Sequence, residues 1–507
     1  MYLGEKFAAP QRQANLSCVS GTYSMEHLGD IGEDGDTDNR VCHACIGDSQ
    51  LNSEIRRYGR PAPCAYCGNT RLRTVSIPQL ARRIDPVYRM MVGFGEQEPD
   101  FDPDSDNVHW IIRGDTPSQL IGDMIECADT TIAEDIVEQL GSDHSYSIGM
   151  GEDQDWYDES SDVFVVETPD DPEFRMAWES FCHSVKHERR FFGDGAIALL
   201  DKILGPILEG RQRLFRGVVR SIGPEDEERF IYRGRLANDE AARKRIYAAP
   251  IAELSAPPAA YATAGRMNSA GISVFYGSAD VETAVAELRV PVGGIAVVGR
   301  FEITRPLRLL DLTKLEVINN DLSFFHPDYF TMHSYASFLR GFHQEIRKPI
   351  IPGRETLEYL PTQVVAEYLW TRGERSVDGL IFGSSQVSGD RTNIVLFPQA
   401  SGVENADAEV RREVAGIYHF GGSDDEPPDV AETVYLHPAP APQAPAKEDL
   451  TGLGDAWFEP VEAIPQPVAQ HSLRLDISSL TKAAVQAIRY SVTEVPVELQ
   501  DEREMPF

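Results

Sequence analysis

Residues 257–293 read PPAAYATAGRMNSAGISVFYGSADVETAVAELRVPVG. Apolar side chains alternate from Ile272 through Val274 to Tyr276, which predicts a strand that delivers the tyrosine to its end. Ser278 or Asp280 can then cap a following helix that carries Glu287. We therefore expect an aromatic ring and a carboxylate to converge on one cleft.

Short β-prone runs separated by turn residues surround this stretch. They lie at residues 230–232, 272–276, 295–301, 307–310, 380–382 and 394–397. Helical patterns interrupt them at 281–288 and 361–370. Because strands and helices mix irregularly instead of alternating as βαβ units, we predict an α+β domain built on a mixed sheet.

The bulk composition limits the classes of function. The chain has 507 residues and a formal net charge of −34, and 42% of its residues are hydrophobic. This length predicts two to four structural units. The excess of carboxylates argues against direct binding of nucleic acid or of a membrane surface. Because the sequence shows neither a signal-peptide pattern nor a long apolar run, we expect a cytoplasmic protein.

Four of the seven cysteines have the spacing of a metal site. Cys42 and Cys45 form one C-x2-C pair, and Cys64 and Cys67 form a second. Such a pattern can place four thiolates tetrahedrally around one Zn²⁺ ion. Four sulfur ligands leave no position for water, so we predict a structural zinc ion.

A pair of arginines precedes the quoted stretch. Arg233 and Arg235 stand two apart on a β-prone run, so their side chains point to the same side. Two guanidinium groups in this arrangement can bind a pyrophosphate through paired hydrogen bonds. We interpret the pair as half of a dinucleotide site.

The ordered set of motifs resembles the RES domain family, whose members share an ADP-ribosyltransferase-like fold and consume NAD. FIYRGRLA lies upstream of the quoted stretch, and LRLLDL, YLPTQVVAEYL, VDGLIFGSSQVSG and TNIVLF follow it in the family's order. The resemblance spans residues 214–397. It implies an NAD-cleaving enzyme that acts as a growth-arresting toxin, silenced by an antitoxin or immunity protein.

The resemblance also implies roles for individual residues. Glu287 would stabilise the oxocarbenium-like ribose, Tyr276 would stack on nicotinamide or ribose, Arg233 would hold the phosphates, and Ser384 would orient the nicotinamide end. Further NAD-binding positions match the family pattern without an assigned role, namely Arg266, Asn268, Gln386 and Asn393, beside Arg235.

Two assignments have alternatives in the sequence. The run LFRGVVR contains Arg216, a second candidate for the family's first arginine, although it fits an extra edge strand better. Ser384 and Ser385 are adjacent, so the serine assignment can move by one position.

The longer members of this family carry an N-terminal region likened to HEPN domains, and helical periodicity over residues 77–208 fits that layout. A helix start is predicted at Thr116 and Pro117. Active HEPN nucleases need an arginine and a histidine that are separated by four to six residues on one helix. Arg175 and His183 are separated by seven residues, whereas Arg412 and His419 match the spacing but lie beyond the RES motifs. We therefore expect a regulatory or dimerising role.

We predict five segments. They are a loop-rich part with zinc knuckles (1–75), a helical HEPN-like domain (76–210), the RES domain (211–405), an acidic, proline-rich linker (406–470) and a C-terminal extension (471–507) with a strand-then-helix pattern over 472–492.

Three functions remain open at this stage. The first is an NAD glycohydrolase or phosphorylase, with water or phosphate as acceptor. The second is an ADP-ribosyltransferase that modifies a protein, and the third is a zinc-stabilised interaction module without activity. NAD as substrate and structural zinc are the expected ligands, and self-association is left open.

Overall fold

The computed structural model describes residues 27–29, 31, 39–95, 97–101, 108–112, 114–127, 129–144, 156–160, 164–167, 172–188, 194–210, 213–348, 350, 353–405, 410–420, 429–438 and 471–489. For residues 97–101, 108–111, 194, 410–420 and 429–438 it describes the backbone alone. Much of the predicted lead-in, linker and C-terminal extension therefore lies outside the described residues. The chain divides into two compact units, Met1–Pro172 with Asn319–Ser337, and Glu173–Ile318 with Phe338–Phe507.

The first unit combines helices with small antiparallel sheets. Its elements are β1 (Arg40–Cys42), α1 (Ser49–Tyr58), β2 (Arg60–Pro61), β3 (Arg73–Ser76), α2 (Ile77–Met91), β4 (Val92–Phe94), β5 (Gln97–Phe101), β6 (Val108–Ile112), α3 (Pro117–Ile125), α4 (Thr130–Asp143) and β7 (Phe164–Val166). The described strands pair as β1-β3-β2, β4-β7 and β5-β6.

Side chains cap the amino-terminal ends of α2 and α3 in this unit. Ser76 and Gln79 form a reciprocal capping box at the start of α2, and Thr116 and Gln119 form another at α3. Each box satisfies backbone N–H groups that the first helical turn leaves without partners. The predicted start at Thr116 and Pro117 is thus confirmed.

The second unit contains the quoted stretch. Its elements are α5 (Glu173–His187), α6 (Asp194–Glu209), β8 (Val219–Ile222), β9 (Phe230–Leu236), α7 (Glu240–Ala248), α8 (Pro250–Leu254), β10 (Phe275–Ser278), α9 (Val281–Glu287), β11 (Ile295–Ile303), β12 (Leu307–Asp311), α11 (Glu355–Glu358), α12 (Leu360–Thr371), β13 (Gly379–Gly383), β14 (Thr392–Leu396), β15 (Gly402–Val403), β16 (Val410–Phe420), β17 (Asp429–Pro438) and β18 (His471–Ala484). The long helix α10 (Tyr329–Arg347) runs across the boundary at residues 337 and 338.

A sheet of nine described strands, in the order β15-β18-β11-β9-β10-β14-β13-β12-β8, organises this unit. Most neighbours are antiparallel, whereas β12 with β13 and β15 with β18 are parallel. One face buries an apolar cluster that includes Phe275, Phe301 and Leu396. The predicted mixed sheet among helices is confirmed.

Two details differ from the sequence prediction. The strand expected to end at Tyr276 begins at Phe275, because polar side chains hold the preceding backbone. The Asn268 amide donates to Ile272 O, and the Ser273 hydroxyl donates to Pro257 O. The second difference lies in the carboxyl-terminal part, where strands replace a predicted helix and part of a predicted linker.

Segment 471–484 is one strand, β18, paired with β11 through Ala484, so the helix expected within 472–492 is absent from its described part. The strands β16 and β17 pair with each other inside the segment predicted as a linker. Among the described helices, none is both long enough and apolar enough to cross a membrane.

Candidate functional site

A carboxylate at the end of α9 is held by two buried side chains. Glu287 is exposed, but its Oε1 accepts hydrogen bonds from Ser384 Oγ and from Asn393 Nδ2, both at 2.7 Å. Ser384 is 2% exposed and Asn393 is 5% exposed. Hydrogen bonds to a charged acceptor are stronger than those between neutral groups. One carboxylate oxygen is therefore fixed while the side chain stays open to solvent.

A further serine sets the orientation of the Asn393 amide. Ser278 Oγ donates to Asn393 Oδ1 at 2.8 Å, and the two residues are directly paired between β10 and β14. Because Oδ1 accepts this bond, Nδ2 must be the atom that faces Glu287. Sequence reasoning treated Ser278 only as a possible helix cap. That place is taken by Asp280, whose side chain accepts from Thr283 N.

Tyr276, on the same strand β10, belongs to a second network of hydrogen bonds. Its hydroxyl accepts from Met267 N at 2.8 Å and donates to Asn268 Oδ1 at 3.2 Å. Burial raises the pKa of Tyr276 above its ordinary value, so the hydroxyl is protonated at neutral pH. The tyrosine thus anchors the GRMN turn. Tyr276 and Ser278 stand two apart on β10 and share one face of the sheet.

Side-chain donors of the GRMN turn bond to carbonyl groups of the protein itself. Asn268 Nδ2 donates to Thr263 O at 2.9 Å and to Ile272 O at 3.0 Å. Arg266 donates to Ile346 O and Lys348 O. Burial lowers the pKa of Arg266, while the charge of Glu287 acts in the opposite direction. Gln363, which the sequence analysis did not single out, closes the turn by donating to Gly265 O at 2.8 Å.

Arg233 meets this network at the main chain. Its Nη1 donates to Tyr276 O at 2.6 Å, and its guanidinium lies 5.1 Å from the centre of the Phe275 ring. Its Nε is buried and has no hydrogen-bond partner among the described residues. Burial, together with the charge of Arg235, lowers the pKa of Arg233 to about 10, so it is cationic at neutral pH.

The position of Arg233 on β9 defines the direction of its side chain. Tyr232, the preceding residue, pairs with Ser278, so alternation sends the Arg233 side chain to the face opposite Ser278 and Asn393. Arg235, two residues later on β9, shares the face of Arg233. The structure therefore brings together Glu287, Ser384 and Asn393 directly, whereas Arg233 and Arg235 point to the opposite face of the sheet and Arg233 reaches β10 only at Tyr276 O.

The alternative assignments occupy other positions. Arg216 is exposed in the turn before β8, which is an edge strand of the large sheet. Ser385 is bonded to the side chain of Gln386, whereas Gln386 N donates to Ser384 Oγ at 3.1 Å. Of the two adjacent serines, Ser384 is the one that contacts Glu287.

The four cysteines of the C-x2-C pairs form one cluster in the first unit. Their sulfur atoms lie within 4.8 Å of one another, with Cys42 at 3.6 Å from both Cys45 and Cys67, and Cys45 at 3.8 Å from Cys64. A tetrahedron with metal–sulfur bonds of about 2.3 Å has sulfur–sulfur edges of about 3.8 Å. The cluster therefore fits one four-coordinate metal ion.

Backbone geometry supports this cluster. Cys45 N donates to Cys42 O at 3.0 Å, and Gly68 N donates to Cys64 O at 3.0 Å, which closes a turn at each pair. Gly68 has a φ of +69°, a conformation that glycine adopts without strain. Burial raises the pKa of Cys64, but backbone N–H groups of Cys67 and Tyr66 outweigh it and lower the pKa to about 7.

The two Arg–His pairs weighed for a HEPN-type site lie on different elements. Arg175 and His183 are both exposed on α5, and His183 lies near Glu188 at 3.6 Å. Arg412 and His419 belong to β16, of which the backbone alone is described.

Family comparisons agree with both parts of the chain. The RES domain model matches residues 240–415, and the model named HEPN/RES N-terminal domain 1 matches residues 57–196. The first match contains Tyr276, Glu287, Ser384 and Asn393 but begins after Arg233. No curated protein sequence matches the chain. The chain therefore contains a RES domain preceded by a HEPN-like N-terminal region, the arrangement of the longer RES proteins.

Proposed function

We propose that the chain cleaves the bond between nicotinamide and ribose in NAD, with water or inorganic phosphate as acceptor. The proposal includes an ADP-ribosyltransferase-like fold for the second unit. The observation that carries it is the exposed Glu287 carboxylate, whose Oε1 is bonded to buried Ser384 and Asn393. The match to the RES domain model, whose family is associated with NAD-acting enzymes, supports it.

The chemistry needs a fixed negative charge. As the glycosidic bond breaks, positive charge grows on the ribose and the departing nicotinamide becomes neutral. A carboxylate already held in place stabilises that charge without reorganising during the reaction. Oε2 of Glu287 accepts no hydrogen bond from the described residues, so this oxygen can face the ribose.

Substitution of the carboxylate by its neutral isostere tests this role. Glu287→Gln keeps the size of the side chain but removes its charge, so we expect nicotinamide release to fall roughly tenfold or more. Glu282→Gln is the matched control, because Glu282 lies on the same helix, is exposed and pairs with Arg391 at 3.2 Å. Full activity in folded Glu287→Gln protein would contradict the proposal.

An assay of the wild-type protein identifies the acceptor of the ADP-ribose group. Nicotinamide is measured with and without phosphate, and protein is examined for label from NAD labelled in its ADP-ribose part. Release stimulated by phosphate identifies a phosphorylase, and release without it a hydrolase. Labelled protein would identify an ADP-ribosyltransferase instead. Absence of nicotinamide would leave the zinc-stabilised interaction module.

We propose Zn²⁺ as the ion of the Cys42 cluster, because four thiolates in a tetrahedron are its preferred structural site. We also propose that the activity arrests growth and that an antitoxin or immunity protein silences it. The test compares the growth of cells that express the wild-type protein with the growth of cells that express Glu287→Gln protein. Equal growth arrest by the two proteins would contradict an NAD-dependent toxin.

A further inference from the structure

A buried histidine contacts the backbone beside Ser384. His343, on α10, is 1% exposed. Its Nδ1 lies 2.7 Å from Glu316 Oε1, and its Nε2 lies 3.0 Å from the backbone nitrogen of Gly383. A main-chain N–H can only donate, so Nε2 must be the unprotonated acceptor. Nδ1 then carries the hydrogen and donates to Glu316, which defines a neutral ring in one tautomer.

The sheet explains why Gly383 needs this acceptor. On one side β13 pairs with β14 as far as Gly383, but on the other it pairs with β12 only as far as Ile381. The N–H of Ser384 donates to Arg391 O at 2.7 Å, toward β14. The N–H of Gly383 points the other way, past the end of β12. A buried N–H without an acceptor is costly, and His343 supplies the missing one.

We propose that His343 is a positioning residue for the Glu287 site. It holds the end of β13 through Gly383, and the next residue, Ser384, donates to the catalytic carboxylate. The continuous chain of contacts runs from Glu316 through the ring to the main chain and then to Glu287. The effect of His343 on catalysis rests on the proposed function, whereas its effect on the backbone does not.

Close packing keeps the ring against the strand end. A Cβ atom added at Gly383 would lie 3.3 Å from His343 Cε1 and 2.8 Å from Arg347 Nη1. The glycine therefore allows an approach that a side chain would obstruct. A displaced ring would move the N–H acceptor and with it the turn that carries Ser384.

The charges around the ring favour the neutral form. Burial lowers the pKa of His343, and the charge of Arg347 adds to this effect, while Glu316 and Asp311 oppose it. A protonated ring would present a second N–H toward the N–H of Gly383, which breaks the contact. The contact is therefore complete above the ordinary pKa of about 6.5 and is lost as the pH falls through the lowered pKa.

Two substitutions separate positioning from simple packing. His343→Leu removes the acceptor, so we expect kcat for nicotinamide release to fall roughly tenfold or more, with KM changed less than about twofold. His343→Gln places Oε1 within reach of the Gly383 N–H and should restore much of kcat. The Gln variant should also lose any acid inactivation caused by ring protonation. His183→Gln, at an exposed histidine of α5, is the control.

A measurement without substrate makes the inference independent of the proposed function. Nitrogen NMR of histidine-labelled full-length protein should show His343 unprotonated at Nε2 at pH 7. Hydrogen exchange of the Gly383 amide should accelerate in His343→Leu and less so in His343→Gln. An Nε2-protonated ring, or unchanged Gly383 exchange in folded His343→Leu protein, would overturn the positioning role. If the wild type releases no nicotinamide, the proposed function fails, but these two readouts still decide the contact.

Discussion

Replacing Asn393 by aspartate tests the hydrogen bonds that hold Glu287 Oε1, because the two side chains have almost the same shape. Asn393 Nδ2 donates to Glu287 Oε1 at 2.7 Å, and its Oδ1 accepts from Ser278. Aspartate keeps the bond from Ser278 but places a second carboxylate against the first. With an effective dielectric constant of about 40 to 80, two charges at that separation repel by about 1.5 to 3 kcal/mol. The dielectric constant is high here because Glu287 is exposed and solvent screens its charge.

This repulsion corresponds to a rise of roughly one to two pKa units for the pair of carboxyls. Because the raised pKa belongs to the pair, the two carboxyls share one proton at higher pH, and this proton withdraws negative charge from the Glu287 side chain. The acid limb of the rate of nicotinamide release should therefore move upward by about one to two pH units from that of the wild type. Full pH profiles of the two proteins provide the measurement.

Asn238→Asp controls for the added charge. Asn238 is an exposed asparagine whose Oδ1 accepts from Ile295 N at 2.9 Å, a contact that aspartate retains. Its acid limb should match the wild type. If folded Asn393→Asp protein also keeps the wild-type acid limb and rate, the Asn393 amide does not hold the catalytic carboxylate and the reasoning is refuted.

The remaining predictions concern the arginine and the metal. Arg233→Ala should lower nicotinamide release roughly tenfold or more, because it removes the charged donor to the Tyr276 carbonyl on the strand that carries Ser278, and Arg216→Ala should not; equal effects would return the assignment to Arg216. Metal analysis should find one zinc ion per wild-type chain, with loss in Cys64→Ser and a lower melting temperature, since ligation is coupled to folding. Cys182→Ser, outside the cluster, should retain the ion, and a zinc-free wild type would exclude the site.

Much of the second unit followed from local patterns. The periodicity predicted strands and helices that correspond to β9, β11, α9 and α12, because these segments combine period-two or helical patterns with clear turn residues. The start of β10 was misplaced, since the pattern cannot show that Asn268 and Ser273 hold the preceding backbone. The β16 and β17 pair was also missed, because prolines and acidic residues dominate the surrounding composition.

The site was predictable as residue types but not as contacts. Glu287 and Ser384 are 97 positions apart in sequence, so their bond depends on the order of strands in the sheet. Ser278 and Asp280 were both candidates to cap α9, and the structure uses Asp280 as the cap while Ser278 donates to Asn393. His343 lies in a helix whose apolar pattern already accounts for its burial. Its contact with Gly383 arises only because β12 ends before β13.

The connection between β13 and β14 explains how an exposed carboxylate can be well placed. Near the start of α9, Arg391 contacts Asp280 at 3.0 Å and Glu282 at 3.2 Å. At the end of the helix, Ser384 and Asn393 hold Glu287. Exposed ion pairs contribute about 0 to 1 kcal/mol, whereas hydrogen bonds from buried donors to a charge contribute about 1.5 to 3 kcal/mol. The hydrogen bonds from Ser384 and Asn393 therefore contribute more than the ion pairs of Arg391. The orientation of Glu287 depends more on β13 and β14 than on the short helix α9.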